Sequence, residues 1–179
     1  MSLDIVIGPM FAGKTSRILS LISRYGAIGK KVLVVTHSSD QRYTNKQQIV
    51  SHDGQSALCI QTTSLLDVDL SYDIIIIDET QFFTKVRYFV ELAVDSLGKQ
   101  VYLFGLDGDY NRQPFGEILS CIPLADRVER ITSFCQDCAN GIPGLFSFRI
   151  KHVSDQVLVG GKESYKPLCR KCFLRESGA

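Results

Sequence analysis

The sequence predicts an α/β fold with a parallel sheet flanked by helices, on three observations. Strand-like and helix-like stretches alternate from residue 3 to residue 134. Four consecutive isoleucines, Ile74–Ile77, have the unbroken apolar character of a strand buried on both faces. A glycine-containing segment, 8–15, joins the first strand-like stretch to the first helix-like one. Alternating strands and helices require right-handed crossovers, which build parallel sheets that bind ligands beyond the carboxyl ends of their strands.

Each element has its own reason. The apolar stretch 3–8 predicts the first strand. In 16–25, Ile18, Leu21, Ile22 and Tyr25 recur at helical spacing, and Gly26 and Gly29 end the helix. β-Branched residues at 32–36 predict a second strand, whereas 37–58 is polar and mixed with no clear period. After Ile74–Ile77, a helix over 85–97 places Val86, Phe89, Val90, Ala93, Val94 and Leu97 on one face, with Gly98 at its C-terminal cap. Residues 101–106 predict another strand, Pro114 a short helix running to about Cys121, and 127–134 a last, less regular strand. Beyond it Cys, Gly and Pro replace the alternation. The expected division is 1–133, an α/β domain, and 134–179, a small satellite domain.

Composition narrows the classes of function. With 179 residues, 45% of them apolar, the chain supports one α/β domain and a small satellite. Twenty Lys and Arg stand against 19 Asp and Glu, so no charge excess argues for a nucleic-acid or membrane partner. No apolar run approaches the roughly 18–20 residues of a spanning helix. Residues 1–4 lead into a strand without a signal peptide's basic and apolar regions, so a cytoplasmic protein is expected.

Three motifs carry chemistry. Gly8, Pro9, Met10, Phe11, Ala12, Gly13, Lys14 and Thr15 form GxxxxGK[ST], the P-loop pattern, between strand and helix. Its glycines let backbone N–H groups surround phosphate, and the helix N-terminus adds a favourable dipole. Lys14 can hold the β- and γ-phosphates of ATP, and the Thr15 hydroxyl can ligate Mg²⁺. Asp78 and Glu79 end the isoleucine strand, where Asp78 can stand beside Mg²⁺ and Glu79 can act as general base. Cys135/Cys138 and Cys169/Cys172 are two CxxC pairs suited to a closed tetrahedral Zn²⁺ site. Cys59 and Cys121 read as buried small hydrophobes. His152 lies between the pairs and reads as a solvated strand residue, because four sulfurs already satisfy the metal. Arg42, in a loop after the second strand, can neutralise phosphate oxygens. His52-Asp53-Gly54 reads as a turn, and Phe11, Phe82, Phe83, Tyr110 and Phe115 fall where a base could stack or a core could be filled.

Taken together, GPMFAGKT (8–15), DQRY (40–43), HD (52–53), DETQFF (78–83), LDGDYNRQPFG (106–116), CQDC (135–138), GGKESY (160–165) and CRKC (169–172) resemble the thymidine kinase family of cellular, bacterial and poxviral type. The resemblance implies transfer of the γ-phosphate of ATP to the 5′-hydroxyl of thymidine or deoxyuridine. It gives Glu79 the role of base, Asp40 and Arg42 a place at the phosphates, and Gln81 and Phe82 a place beside the nucleoside. It implies a lasso loop over the base, containing Val157, Leu158, Val159 and Gly160, with Tyr165 following. Met10, Leu106, Ser147 and Tyr165 would line the pocket for the thymine methyl, near Tyr110 and Phe115. Structural zinc, a homotetramer and feedback binding of thymidine triphosphate are further implications. Asp109, Tyr110 and Ser147 depart from common family residues, and two extra residues follow Cys138. A rival reading is a nucleic-acid-dependent ATPase, because Asp78–Gln81 also has the form DExQ; the single lobe and balanced charge oppose it.

Overall fold

The structure is a computed structural model that describes residues 1–39, 48–51, 54–151, 155–158 and 160–178. The expectations for Asp40, Arg42, His52, Asp53, His152 and Val159 lie outside the described residues.

Six strands form the main sheet: β1 (Ser2–Ile7), β2 (Val32–His37), β5 (Ile60–Thr62), β6 (Ile74–Ile77), β7 (Gln100–Gly105) and β8 (Arg127–Arg130). Their spatial order is β5-β2-β6-β7-β1-β8, and every pairing is parallel. A separate antiparallel hairpin joins β3 (Gln48–Val50) to β4 (Ser56–Leu58).

Alternation along each strand divides the core. Leu3, Ile5, Ile7, Ile75, Ile77, Val101 and Leu103 face one layer, with Val86, Phe89, Val90 and Ala93. Val6, Val34, Ile74, Ile76 and Phe104 face the other, against Ile18 and Leu21 of helix α1 (Lys14–Gly26). Covering both faces removes the central strands from water, which is why β6 is isoleucine at every position. Cys59 and Cys121 are buried in these two layers.

The chain departs from the sequence reading in three places. The helix expected over 85–97 is α-helical only across α2 (Val86–Val90) and continues with wider turns over Glu91–Ser96. There Leu97 N–H donates to Leu92 O at 3.1 Å and Lys99 N–H to Ala93 O at 2.9 Å. The wider turn keeps Ala93 and Val94 buried together. Pro114 does not open a helix: it bridges Gly108, and the helical turns start at Ile118–Leu124, after Gly116 has reversed the chain at φ 65°. The strand expected over 127–134 is two. Arg127–Arg130 pairs with β1, whereas β9 (Ser133–Phe134) pairs with β10 (Pro143–Gly144) outside the main sheet.

The C-terminal segment adds the hairpin β11 (Phe146–Arg149) with β12 (Tyr165–Leu168), then helix α3 (Arg170–Ser177). Among the described residues, no helix is long and apolar enough to cross a membrane. Phe89 is 1% exposed and fills the layer beneath β1 and β6. Phe89→Ala should cost about 3–5 kcal/mol through lost transfer energy and a residual cavity. Urea unfolding monitored by circular dichroism checks this, and a midpoint equal to that of the unsubstituted chain contradicts the packing described.

Candidate active site

The sheet ends its strands at one edge, and the chain leaves β1, β6 and β7 there. Register explains why: Ile7 pairs with Gly105, and Ile77 with Leu103. A cavity of about 950 Å³ opens at this edge.

Its first wall is the loop between β1 and α1. Met10, Phe11, Ala12, Gly13, Lys14 and Thr15 line it, while Gly8 and Pro9 do not. Gly13 caps α1 at φ 84°, a conformation that glycine adopts without penalty. A Cβ on Gly8 would stand 2.3 Å from Ile131 O, so only glycine lets the loop leave the sheet here. The Lys14 ammonium is buried and donates to Gly8 O at 3.0 Å and to Pro9 O at 2.8 Å. The loop thus curls about its own cation.

The second wall follows β6. Asp78 is buried, and its Oδ1 accepts Glu79 N–H at 2.9 Å. Glu79 lines the cavity with φ 51° and ψ 42°, a backbone conformation costly for a non-glycine residue. Asp78 does not line the cavity. Gln81 Nε2 donates to Glu79 Oε2 at 2.5 Å, while Gln81 Oε1 accepts Leu106 N–H at 3.1 Å. The Leu106 N–H requires oxygen at one end of that amide, which turns its NH₂ toward the carboxylate. Two glycines make room: a Cβ on Gly105 would lie 2.8 Å from Gln81 Oε1, and one on Gly116 would lie 2.2 Å from Gln81 O.

Apolar and aromatic groups form the rest. Phe82 and Phe115 meet edge to face, with centroids 5.6 Å apart. Leu106 and Tyr110 join them from the β7 side, and Ser147, Val157, Leu158, Gly160 and Tyr165 from the C-terminal segment. Phe83, by contrast, is a core residue at 1% exposure. It packs edge-on against His37 at 4.8 Å, and burial holds the His37 imidazole below its ordinary pKa. Ser147 does more than line the cavity, since its Oγ accepts Met10 N–H at 2.9 Å and ties β11 to the first wall.

The sequence pattern of the family described as thymidine kinase matches residues 1–173. The chain belongs to the thymidine kinase family. It is 37% identical to the thymidine kinase of Sheeppox virus (strain KS-1), covering 97% of each chain. It is 36% identical to thymidine kinase a of Arabidopsis thaliana, over 97% of this chain and 75% of that one. Thymidine kinase 1 of Dictyostelium discoideum is 35% identical, over 96% and 77% respectively.

This thymidine kinase family member also holds a cysteine cluster. The sulfurs of Cys135, Cys138, Cys169 and Cys172 all lie within 4.8 Å of one another. A tetrahedral Zn²⁺ with bonds of about 2.3 Å places its sulfurs about 3.8 Å apart. Cys138 Sγ lies 3.8 Å from Cys169 Sγ and 3.5 Å from Cys172 Sγ, so the donor set fits. Cys169 caps α3, its sulfur accepting Cys172 N–H at 3.5 Å. Phe173 packs between Phe146 and Phe148 beside the cluster.

The sequence reading missed some of the lining. Gln48, Val50 and Ser51 come from the stretch that shows no period. Arg149 and Gln156 line the cavity as well and belong to no motif. For Arg149 a signal existed: alternation along β11 puts it on the face of Ser147, opposite Phe146 and Phe148.

Two outcomes are expected. Gly116→Ala forces a Cβ onto the Gln81 carbonyl at positive φ, which should destabilise by about 2 kcal/mol or more; calorimetry should show a lower Tm, and an unchanged Tm contradicts the close approach. Stripping metal with a strong chelator should raise amide hydrogen exchange across 134–178, measured by mass spectrometry; unchanged exchange in metal-free protein removes a structural role for the cysteine cluster.

Proposed function

We propose that the chain transfers the γ-phosphoryl group of ATP to the 5′-hydroxyl of thymidine, with Glu79 as the general base. Membership of the thymidine kinase family supports the reaction and thymidine as substrate. The observation that carries the residue assignment is that Glu79, the Lys14 loop and Phe82, Leu106 and Tyr165 line one cavity.

In this reading the polyphosphate lies against 10–15. Loop N–H groups and the α1 N-terminus supply partial positive charge where the phosphates carry negative charge. Lys14 adds a full charge and bridges to the β- and γ-oxygens. The thymidine base occupies the apolar wall, where Met10, Leu106, Ser147 and Tyr165 surround its methyl group and Phe82 and Tyr110 face its ring. Residues 157–161 cover it and exclude water, which limits transfer to solvent. That seating brings the 5′-hydroxyl to the Glu79 carboxylate. Glu79 takes the hydroxyl proton as the oxygen attacks phosphorus and the bond to the β-phosphate oxygen breaks. Gln81 holds the carboxylate by its amide. Thr15 and Asp78 are the residues that would hold Mg²⁺, which when bound neutralises charge on the β- and γ-oxygens. The buried Asp78 hydrogen-bonded to Glu79 N–H is consistent with such a fixed carboxylate.

The division at 133/134 belongs to the same reading, supported by the chain's move from the main sheet to the β9–β10 pair and by the cysteine cluster beyond it. Zinc there would stabilise a segment whose own core is small. Asp40, Arg42 and Val159 enter on sequence pattern alone. A homotetramer, a cytoplasmic setting, deoxyuridine as second substrate and feedback binding of thymidine triphosphate rest on the family resemblance.

Phosphate transfer from γ-labelled ATP to thymidine, deoxyuridine and deoxycytidine, beside a no-acceptor control, tests the reaction. Labelled thymidine monophosphate is expected, and label released only as inorganic phosphate contradicts it. Glu79→Gln should lower kcat by about 10²–10⁴ while sparing ATP binding. Turnover near that of the unsubstituted chain rules out Glu79 as base.

A further inference from the structure

Arg149 is 7% exposed, and its guanidinium contacts three parts of the cleft at once. It donates to the carbonyl oxygens of Asp155 and, at 2.8 Å, Gln156, both in the segment that follows β11. It donates to the Tyr165 hydroxyl at 2.9 Å, at the start of β12. Its Cζ lies over the ring of Tyr110, 3.7 Å from the centroid, on the wall contributed from the β7 side. The chain of contacts continues in both directions. Tyr165 OH donates to Leu158 O at 2.8 Å, and Gln156 Nε2 donates to Asp109 Oδ2 at 2.9 Å. Asp109 is itself fixed, because its Oδ1 accepts the N–H groups of Asn111 and Gln113.

A buried cation is costly unless it is hydrogen-bonded, and an apolar side chain of similar volume commonly packs at less cost. The guanidinium has a property that no apolar residue and no lysine shares. It is a rigid fork that bridges two carbonyl oxygens and a hydroxyl while its central carbon lies over an aromatic ring. Without such a bridge, residues 155–158 would have few restraints toward the cleft. Val157 is 45% exposed, and the segment contributes no strand or helix of its own.

We propose that Arg149 is a positioning residue for the nucleoside side of the cleft: it fixes segment 155–158, Tyr110 and Tyr165 in one arrangement and thereby sets affinity for thymidine without contacting the reacting atoms. The proposal rests on the reading that 157–161 covers the nucleoside. It separates Arg149 from Lys14, whose loss acts on the phosphates. It also gives Asp109 and Tyr110 a shared purpose, because one receives the covering segment through Gln156 and the other receives the guanidinium.

The test combines steady-state kinetics with hydrogen exchange on the full chain and on its Arg149→Gln and Arg149→Lys variants. In both variants the KM for thymidine should rise roughly tenfold or more, the loss expected for charge-assisted hydrogen bonds. The KM for ATP should stay within twofold, and exchange at 155–158 should increase without a rise across the main sheet. Lysine should rescue little, since it keeps the charge but loses the fork. A rise in the KM for ATP instead assigns Arg149 to the phosphates and overturns the proposal. Exchange at 155–158 unchanged in both variants overturns it as well, as does exchange raised throughout the sheet in both, which makes Arg149 a residue of general stability. Thymidine added to the unsubstituted chain separates the two levels of failure. If it slows exchange at 155–158 but the variants keep their KM, Arg149 alone has been misassigned. If it leaves that exchange unchanged, the covering role itself fails and the proposal falls with it.

Discussion

Parallel pairing of β1, β6 and β7 in register is the constraint from which the rest of the cleft follows. These strands are buried on both faces, so a slip of one residue would exchange the side chains of two filled layers, Leu3, Ile5 and Ile7 with Val6, for example. The register therefore has little freedom. Because Ile7 sits beside Gly105 and Ile77 beside Leu103, the phosphate-type loop, the Asp78–Glu79 pair and Leu106 all emerge at one edge. Groups distant in sequence meet there because hydrophobic packing deeper in the sheet leaves them no other place.

Close approach then refines what register makes approximate. Gln81 reaches both Glu79 and Leu106 only because Gly105 and Gly116 carry no side chain. Glu79 accepts a left-handed backbone at the strand end, which aims its carboxylate into the cavity rather than along the sheet. Backbone cost of this kind is retained where surrounding contacts over-determine it. Here the Asp78 carboxylate on the Glu79 N–H and the Gln81 amide on its side chain do so.

The C-terminal segment completes the cleft from the far side and is held by different forces. It has a small aromatic core, Phe146, Phe148 and Phe173, next to four cysteine sulfurs arranged as a metal site. Its contacts with the rest of the molecule include Ser147 to Met10 N–H, Arg149 over Tyr110, Gln156 to Asp109, Arg112 over Phe173 and Arg130 to Leu145 O. Such contacts are directional, so they define a geometry without the large apolar area of a packed interface. That division, a rigid sheet edge opposite a segment held by hydrogen bonds, suits the covering role proposed for 155–158.

The local patterns were legible in the residues themselves. GxxxxGK[ST] between strand and helix, four isoleucines ending in Asp78-Glu79, and two CxxC pairs each depend on spacing within a short segment, and short-range geometry is what a sequence encodes directly. So does the two-layer core, because period-two burial is intrinsic to a strand. The sequence could not order the strands, since β5-β2-β6-β7-β1-β8 is set by crossovers whose lengths admit several neighbours. It could not divide 127–134 between two sheets, because Arg127–Arg130 and Ser133–Phe134 have similar local propensity and differ only in partner. Nor could it bring Arg149 to Tyr110 and Tyr165, or Gln156 to Asp109: those contacts join distant segments, and only the tertiary fold decides which polar group a buried guanidinium will meet.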